Sequence, residues 1–557
     1  MNCCPEMRRW LAGLATAVIF GGLLAALVLP GGVAPRGEAV ADVPKPEAGA
    51  WPMFGGTVQR NMVNSVERDV PTEWDVKSGK NVKWVVELGS KAYGGPVIAG
   101  GKVFIGTNND RPRNPRDVDK MTGVPVDKGV MMCFDQGTGK FLWQIIHDKL
   151  PAGRVNDWPK EGICSSPFVE GNRLYYVSNR CEVICADTEG LLDGKNDGAQ
   201  DEKYKEPTDG DVVWSLDMIG ALGVFPHNLA TCSPIVVGDV VFVITSNGVD
   251  ERHIDIPKPQ APSFIAVDKK SGQLLWKNNL PTARLLEPGS QLKSLVDRGL
   301  VLMHGQWSNP VYTEVAGQPQ IIYPGGDGWI YGFEPRTGEL IWKFDGNPKD
   351  SVYRLGGAGT RNDYVATPVV HDTKLYLGVG QDPEHDAGVG HYWCVDLVKA
   401  TKNRGDVSPE LVAEGGGPQK GKPNPNSAVQ WHYGGMIDPP PAEGREYAIG
   451  RTMSTASVSG GLAFIGEQEG ILHCLDAVTG KEYWQHDMEA ATWSSPYTVD
   501  GKVFMGNDKR ELLIFQHGKE KKLLAKINMG SLVRATPTAV NGTLFVLTEN
   551  KLYAIGK

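Results

Sequence analysis

The sequence predicts an all-β fold, an eight-bladed β-propeller of four-stranded antiparallel blades whose ring is closed by an N-terminal strand. Three observations predict it. The phrase MMCFDQGTGKFLW (131–143) returns as FIAVDKKSGQLLW ending at Trp276, IYGFEPRTGELIW ending at Trp342 and LHCLDAVTGKEYW ending at Trp484. Apolar residues alternate in the stretches around it, as in LAFIG and ILHCL, the period of half-buried strands. Asp, Asn and Gly turns separate these stretches, so each unit reads as an antiparallel meander.

The first element is a targeting segment, residues 1–41. Arg8 and Arg9 precede a run from Leu11 to Ala34 that carries no charge, and Ala39-Val40-Ala41 follows. This order matches an export signal with a small-residue cleavage site. The run is also long enough to span a bilayer and anchor the chain. On either reading the propeller works outside the cytoplasm, periplasmic or membrane-anchored. Residues 42–80 read as a Pro/Ala/Glu-rich tether and N-terminal arm, and 81–557 as the propeller. The chain has 557 residues, 41% hydrophobic and 22% charged, with 69 Gly and 38 Pro, a globular and turn-rich composition. Its net charge of −8 and the lack of a basic run beyond KEKK (519–522) exclude a nucleic-acid footprint.

The repeat units follow. Each opens on a small-residue–Pro step, and they begin near Gly95, Ser166, Ser233, Asn309, Thr367, Ser457, Ser495 and Thr536. The last, ATPTAVNGTLFVLTENKLYAIGK (535–557), holds three strands. Its fourth is expected from SGKNVKWVVEL (78–88), where Ser78-Gly79-Lys80 and Trp84 keep the order of the phrase. Borrowing that strand leaves no free edge.

Within the phrase, the acidic residue and Thr/Ser-Gly make the turn. The Trp is expected to lie against a neighbouring blade, a burial that contributes about 2 to 3 kcal/mol. Two residues before the acid stands Cys133, Cys185, Cys394, Cys474, Ala266 or Gly332, all small, which marks a tight packing position. Those four cysteines fall in different blades and read as buried small hydrophobes. Cys164 and Cys232, near the starts of adjacent blades, could form a bridge in an exported chain; the disulfide state of Cys181 stays open as well.

The A/C-x-D-x-x-T-G-K-x-x-W phrase resembles the repeat of the pyrroloquinoline-quinone (PQQ)-type β-propellers, from about Trp51 to Lys557. That group includes BamB-like outer-membrane assembly scaffolds and quinoprotein alcohol dehydrogenases, so the resemblance implies the fold and leaves two functions. The scaffold branch implies envelope proteins as partners. Its members are lipid-anchored through a Cys, whereas no Cys follows the apolar run here until Cys133. The enzyme branch implies PQQ, a Ca2+ held by Glu, Asn and Asp, a catalytic Asp and a Trp stacked on the quinone.

In propellers of this kind the segments before each first strand face a central funnel. They carry His227, Asn228, His304, Trp307, Asn309 and Arg361, then Asn362, Asp363, Arg451, Trp493 and Arg534. Convergent polar groups over aromatic side chains suit a small ligand. On the enzyme branch Glu161, Asn228 or Asn309, and Asp363 would hold Ca2+ or act as base, with Asp363 the catalytic candidate and Trp307 or Trp493 on the quinone. However, no adjacent Cys pair follows the export segment, and no enzyme motif matches residue by residue. The sequence therefore favours a scaffold or small-ligand binder over a dehydrogenase. Stacking of sugar rings on Trp307 and Trp493 makes a polysaccharide-binding module the third reading.

Two insertions carry metal-type donors. ADTEGLLDGKNDGAQDE (186–202) gathers Asp193, Asn196, Asp197 and Asp201, an oxygen-rich loop suited to Ca2+. GQDPEHDAGVGHYW (380–393) gathers Asp382, His385, Asp386 and His391, types that ligate transition metals. The Gly/Pro/Asn-rich stretch 412–431 is a candidate partner loop. The sequence lacks G-x-x-x-x-G-K-[ST], H-E-x-x-H and G-x-S-x-G, which disfavours P-loop, zincin and serine-hydrolase chemistry.

Overall fold

The computed structural model describes residues 49–253, 255–280, 304–352, 359–381, 383–384, 387–412 and 421–557. The apolar run, Ala39-Val40-Ala41, Asp382, His385 and Asp386 lie outside them. Among the described residues no helix is long and apolar enough to cross a membrane. They form eight sheets of four or five strands and one small hairpin. Blades 1 to 7 occupy residues 97–148, 168–217, 235–278, 311–345, 369–434, 457–487 and 497–528. The eighth sheet joins Thr538–Val540, Thr543–Leu547 and Lys551–Ile555 to Val82–Glu87. In it, Trp84 stands opposite Ala554.

The repeated phrase encodes a joint between blades. Asp135 Oδ1 accepts from Thr138 N and Oγ1 at 2.8 and 2.6 Å, and Asp476 receives Thr479 in the same way. The next residue is Gly with φ of 71° at Gly139 and 74° at Gly480, the left-handed region open to glycine. Space demands Gly as well. A Cβ on Gly139, Gly272, Gly338 or Gly480 would sit 2.7–2.8 Å from the ring of Trp84, Trp214, Trp276 or Trp431. Each of those rings belongs to the preceding blade.

The indole N–H completes the joint. Trp143 donates to Thr188 O at 3.1 Å, Trp276 to Pro335 O at 2.8 Å and Trp431 to Ala477 O at 3.0 Å. Trp84, Trp214 and Trp484 bond in the same direction to Gln136, Lys269 and Gly518. Thr-Gly and Trp are therefore two halves of one contact, and repeating the phrase repeats the contact. Trp342 departs from it, donating to Gln320 Oε1 of its own blade. The small residue is the Trp's cross-strand partner: Cys133 opposes Trp143, Ala266 opposes Trp276, Gly332 opposes Trp342 and Cys474 opposes Trp484. Cys133, Cys185, Cys394 and Cys474 are buried, and Cys164 and Cys232 are separate thiols.

Trp484 lies between Phe464 and Phe515, ring centres 5.9 and 5.7 Å away. Trp484→Ala is expected to cost about 3 kcal/mol by opening a cavity at the joint of blades 6 and 7. Denaturant titration checks this; an unchanged midpoint would mean the indole contributes no buried contact.

The N-terminal arm has a second role. An innermost strand leaves one edge without a sheet partner, and its N–H and C=O groups need satisfying. Residues 51–64 supply partners blade after blade. Trp51 N donates to Ile98 O at 2.7 Å in blade 1, and Val169 N of blade 2 donates to Pro52 O at 2.8 Å. Tyr312 N of blade 4 and Val370 N of blade 5 donate to Val58 O and Gln59 O at 2.9 and 3.0 Å. Asn61 Nδ2 reaches Val458 O of blade 6. Val63–Asn64 pairs in parallel with blade 7, and Asn64 Nδ2 donates to Ala539 O of blade 8.

Blade 3 is reached by a side chain. Arg60 is wholly buried, and its Nη2 donates to Ser233 O at 2.6 Å and Pro234 O at 3.1 Å. From Trp51 onward the arm is thus core, with Met53, Val58, Met62, Val70 and Trp74 buried.

Candidate functional site in the axial funnel

The small-residue steps form a girdle of hydrogen bonds. Ser166 N donates to Ser233 Oγ at 2.9 Å, Ser233 N to Asn309 Oδ1 at 2.6 Å, and Asn309 Nδ2 to Thr367 Oγ1 at 2.7 Å. On the far side Thr455 N donates to Ser495 Oγ at 2.9 Å, and Ser495 N to Thr536 Oγ1 at 3.0 Å. Thr455-Ala456 fills this step in the sixth blade, two residues before Ser457. A cavity of about 400 Å³ adjoins the girdle. Its walls include Tyr93, Trp158, Trp307 and Trp493, with Phe54 of the arm and the charged Glu161, Glu384 and Arg534.

Of the funnel residues expected from sequence, Trp307, Asn309, Trp493 and Arg534 line this cavity. Arg534 is held by Asp508 through two bonds of 3.0 and 2.9 Å and lies 5.8 Å from the Trp493 ring centre. Arg361, Asn362 and Arg451 are engaged elsewhere. Arg361 pairs with buried Asp345 at 3.0 Å, Asn362 Nδ2 donates to Val389 O at 2.9 Å, and Arg451 meets Glu469 at 2.8 Å.

His227, Asn228, His304 and Asp363 converge at the wall, joined by two residues that the sequence reading passed over, His253 and Glu384. One donor atom from each of His227, His253, His304 and Glu384 lies within 4.8 Å of all the others. His253 Nε2 stands 3.1 Å from His227 Nε2 and 3.0 Å from His304 Nε2. Glu384 Oε2 is 3.5, 3.1 and 3.9 Å from the Nε2 atoms of His227, His253 and His304.

The surroundings aim these groups. His227 Nδ1 is 3.0 Å from Val249 O, which turns Nε2 to the cluster. Asn228, at φ 59°, a conformation that Asn tolerates, donates to Glu384 Oε1 at 2.8 Å and leaves Oε2 to the histidines. Asp363 Oδ2 stands 3.6 Å from His304 Nδ1. Trp307 stacks on His227 at 5.6 Å and donates to His227 O at 3.2 Å. Burial would raise the Glu384 carboxyl, but hydrogen bonding from His227 and His253 outweighs it and holds the group well below the carboxylate range. Nitrogen donors with one carboxylate are the set of a transition metal, not of calcium.

A Ca2+ beside PQQ needs six to eight oxygens, and the proposed ligands are committed otherwise. Glu161 pairs with Lys91 at 2.6 Å, both ends of the Asn309 amide serve the girdle, and Asp363 faces His304. These residues do not assemble the oxygen set. In the acidic loop, Asp193 pairs with Lys195 at 2.9 Å, Asn196 donates to Glu202 at 2.7 Å, and the Asp197 N–H is bound by Asp211 at 2.8 Å. Asp201 lines a separate cavity of about 230 Å³ between blades 1 and 2. His391 packs against His432, Nδ1 to Nε2 at 3.0 Å, and burial pulls both down to about 4.

A family model described as outer membrane protein assembly factor BamB matches residues 126–382 and 424–555, more than half of the chain. No curated protein matches. Among solved structures, a europium-containing methanol dehydrogenase is 13% identical with a TM-score of 0.56, covering 92% of this chain and 98% of its own. The quinohemoprotein alcohol dehydrogenase of Comamonas testosteroni is 14% identical with a TM-score of 0.54, covering 91% and 81%. At such identities the likeness shows a shared fold. BamB from Moraxella catarrhalis is also found, at 13% identity and a TM-score of 0.47, over 86% and 97%. With eight sheets, the repeated Trp-on-Gly joint and the match over most of the propeller, this chain belongs to the PQQ-repeat β-propeller family described as outer membrane protein assembly factor BamB.

Proposed function

We propose that this chain is an exported binding propeller that takes a small, flat, amphipathic molecule in its axial cavity. The observation that carries the reading is the cavity of about 400 Å³ walled by Tyr93, Trp307 and Trp493, with the girdle hydroxyls and Arg534 beside them. Aromatic faces offer stacking, while hydroxyls and a guanidinium fix orientation. Export is read from the N-terminal segment. The dehydrogenase alternative loses weight because Glu161, Asn309 and Asp363 are spent on Lys91, the girdle and His304. The family match favours a second reading, a scaffold for envelope proteins; the exposed tip with Met121 and Val124 is a surface such a partner would cover.

Titration with 8-anilinonaphthalene-1-sulfonate tests the cavity, and PQQ with Ca2+ and a redox dye tests the alternative. One saturable equivalent of the naphthalene probe is expected, weakened about tenfold by Trp493→Ala through lost stacking. Probe binding unchanged by both Trp493→Ala and Trp307→Ala would defeat this reading. Dye reduction with a short alcohol would favour the enzyme.

A further inference from the structure

We propose that His227, His253, His304 and Glu384 bind one first-row divalent transition-metal ion of the zinc type, and that the ion staples blades 3, 4 and 5 at the cavity wall. The inference stands on the cluster itself and does not depend on what fills the cavity.

Distance is the first argument. Zinc holds imidazole nitrogen and carboxylate oxygen at about 2.0–2.2 Å in a tetrahedron, which spaces neighbouring ligand atoms by about 3.3–3.5 Å. Five of the six separations are 3.0 and 3.1 Å between nitrogens and 3.1, 3.5 and 3.9 Å from oxygen to nitrogen, and the sixth, His227 to His304, is within 4.8 Å. They bracket the tetrahedral value. Electrostatics is the second. Three imidazoles and one carboxylate each turn a donor atom into a space where these atoms lie within 4.8 Å of one another, and Glu384 supplies a charge to balance a cation held between them. The third is orientation, since metal-bound His and carboxylate groups are fixed by outer partners. Val249 O serves His227, Asn228 serves Glu384, and Asp363 stands behind His304.

Topology says what the ion does. His227 enters blade 3, His253 sits in the connection from Val240–Ile244 to Phe264–Asp268, His304 precedes blade 4, and Glu384 follows Lys374–Val379 of blade 5. Four ligands from the protein make a closed site. One ion would make four bonds across three blades, and it would fix Glu384, whose side chain is 21% exposed.

The test uses the full chain, stripped with a chelator and titrated with Zn2+, Co2+ or Ca2+ by calorimetry, with visible spectra for Co2+. The expected result is one Zn2+ per chain, the intense visible absorption of four-coordinate Co2+, no heat from Ca2+, and a melting midpoint raised by Zn2+. Glu384→Gln keeps the shape and His253→Ala alters a loop residue; each is expected to lower affinity at least about 100-fold and abolish the thermal shift. Asp363→Asn, behind His304, is expected to cost about tenfold. Asp193→Asn in the acidic loop serves as the unaffected control. Absence of a saturable site, binding unchanged in both ligand variants, or equal preference for Ca2+ would overturn the proposal, leaving a cluster that shares protons only. Probe binding to the stripped protein reports on the cavity separately, so the two ideas fail independently.

Discussion

Arg60→Ala is expected to lower the stability of the propeller by about 4 kcal/mol, among the largest effects of any single substitution in this chain. The guanidinium is wholly buried where the arm crosses the innermost strands. It donates to Phe54 O at 2.9 Å, Pro310 O at 3.2 Å, Ser233 O at 2.6 Å and Pro234 O at 3.1 Å. These carbonyls come from the arm and from blades 3 and 4. Burial pulls the group down to about 9, so at neutral pH it keeps its charge and every bond is charge-assisted. Truncation leaves the carbonyls dry at about 1 to 3 kcal/mol each, partly relieved by relaxation, and opens a cavity as well.

Arg60→Lys separates charge from geometry. An ammonium retains the charge but cannot present the planar fork to four acceptors, so an intermediate loss of about 2 kcal/mol is expected. Urea titration of the three proteins checks the order. Equal midpoints for wild type and Arg60→Ala would show that the arm adds nothing to the fold, contrary to its contacts with each blade.

The sequence shows the joints of this molecule more plainly than its site. Thr-Gly and Trp recur because one contact is made again and again, so repetition in the chain reports repetition in space. Even there, that Gly139 lies beneath Trp84 and Gly480 beneath Trp431 had no local signal, since the partners sit in different blades. The arm was harder to read. Residues 51–64 follow no period because each makes a different contact, and their order along the blades exists only once the sheets are assembled. The histidine cluster was half legible. His227 and His304 both stand in the segments that lead into first strands, where the repeat points to the funnel. His253 and Glu384 come from connections between second and third strands, which are longer in blades 1, 3 and 5 than in the other blades. The signal available for His253 was the unusual length of its loop. Arg361 and Arg451 show the converse: their register is right, but Asp345 and Glu469 hold them in ion pairs away from the cavity.

His473→Gln is expected to cost about 3 kcal/mol near pH 6 and much less in alkaline solution. His473 and Glu467 are fully buried in blade 6. Imidazole Nε2 meets Glu467, and Nδ1 lies 2.9 Å from Glu482 Oε2. Arg445 donates to Glu467 at 2.6 and 2.9 Å, and the Tyr433 hydroxyl donates to Glu482. Burial alone would discharge the imidazolium, but the two carboxylates outweigh it and raise His473 above its ordinary 6.5. Burial would likewise raise Glu467, yet His473 and Arg445 hold it below its ordinary 4.5, and His473 with Tyr433 lowers Glu482.

The signs then fix the window. A raised histidine stabilises fully below 6.5 and loses that contribution as pH climbs through its folded value, while the lowered carboxylates stabilise fully above 4.5 and lose theirs as pH falls through their own. The network is therefore strongest between those two values. Glutamine keeps a hydrogen-bonding side chain of similar reach but cannot carry the proton, so the difference in stability between wild type and His473→Gln should shrink steadily above neutrality. Groups common to both proteins cancel in that difference. Urea midpoints at about pH 5.5, 7 and 9 measure it, and a gap constant across the three would mean that His473 sits neutral between Glu467 and Glu482, with a carboxyl rather than the imidazole carrying the shared proton.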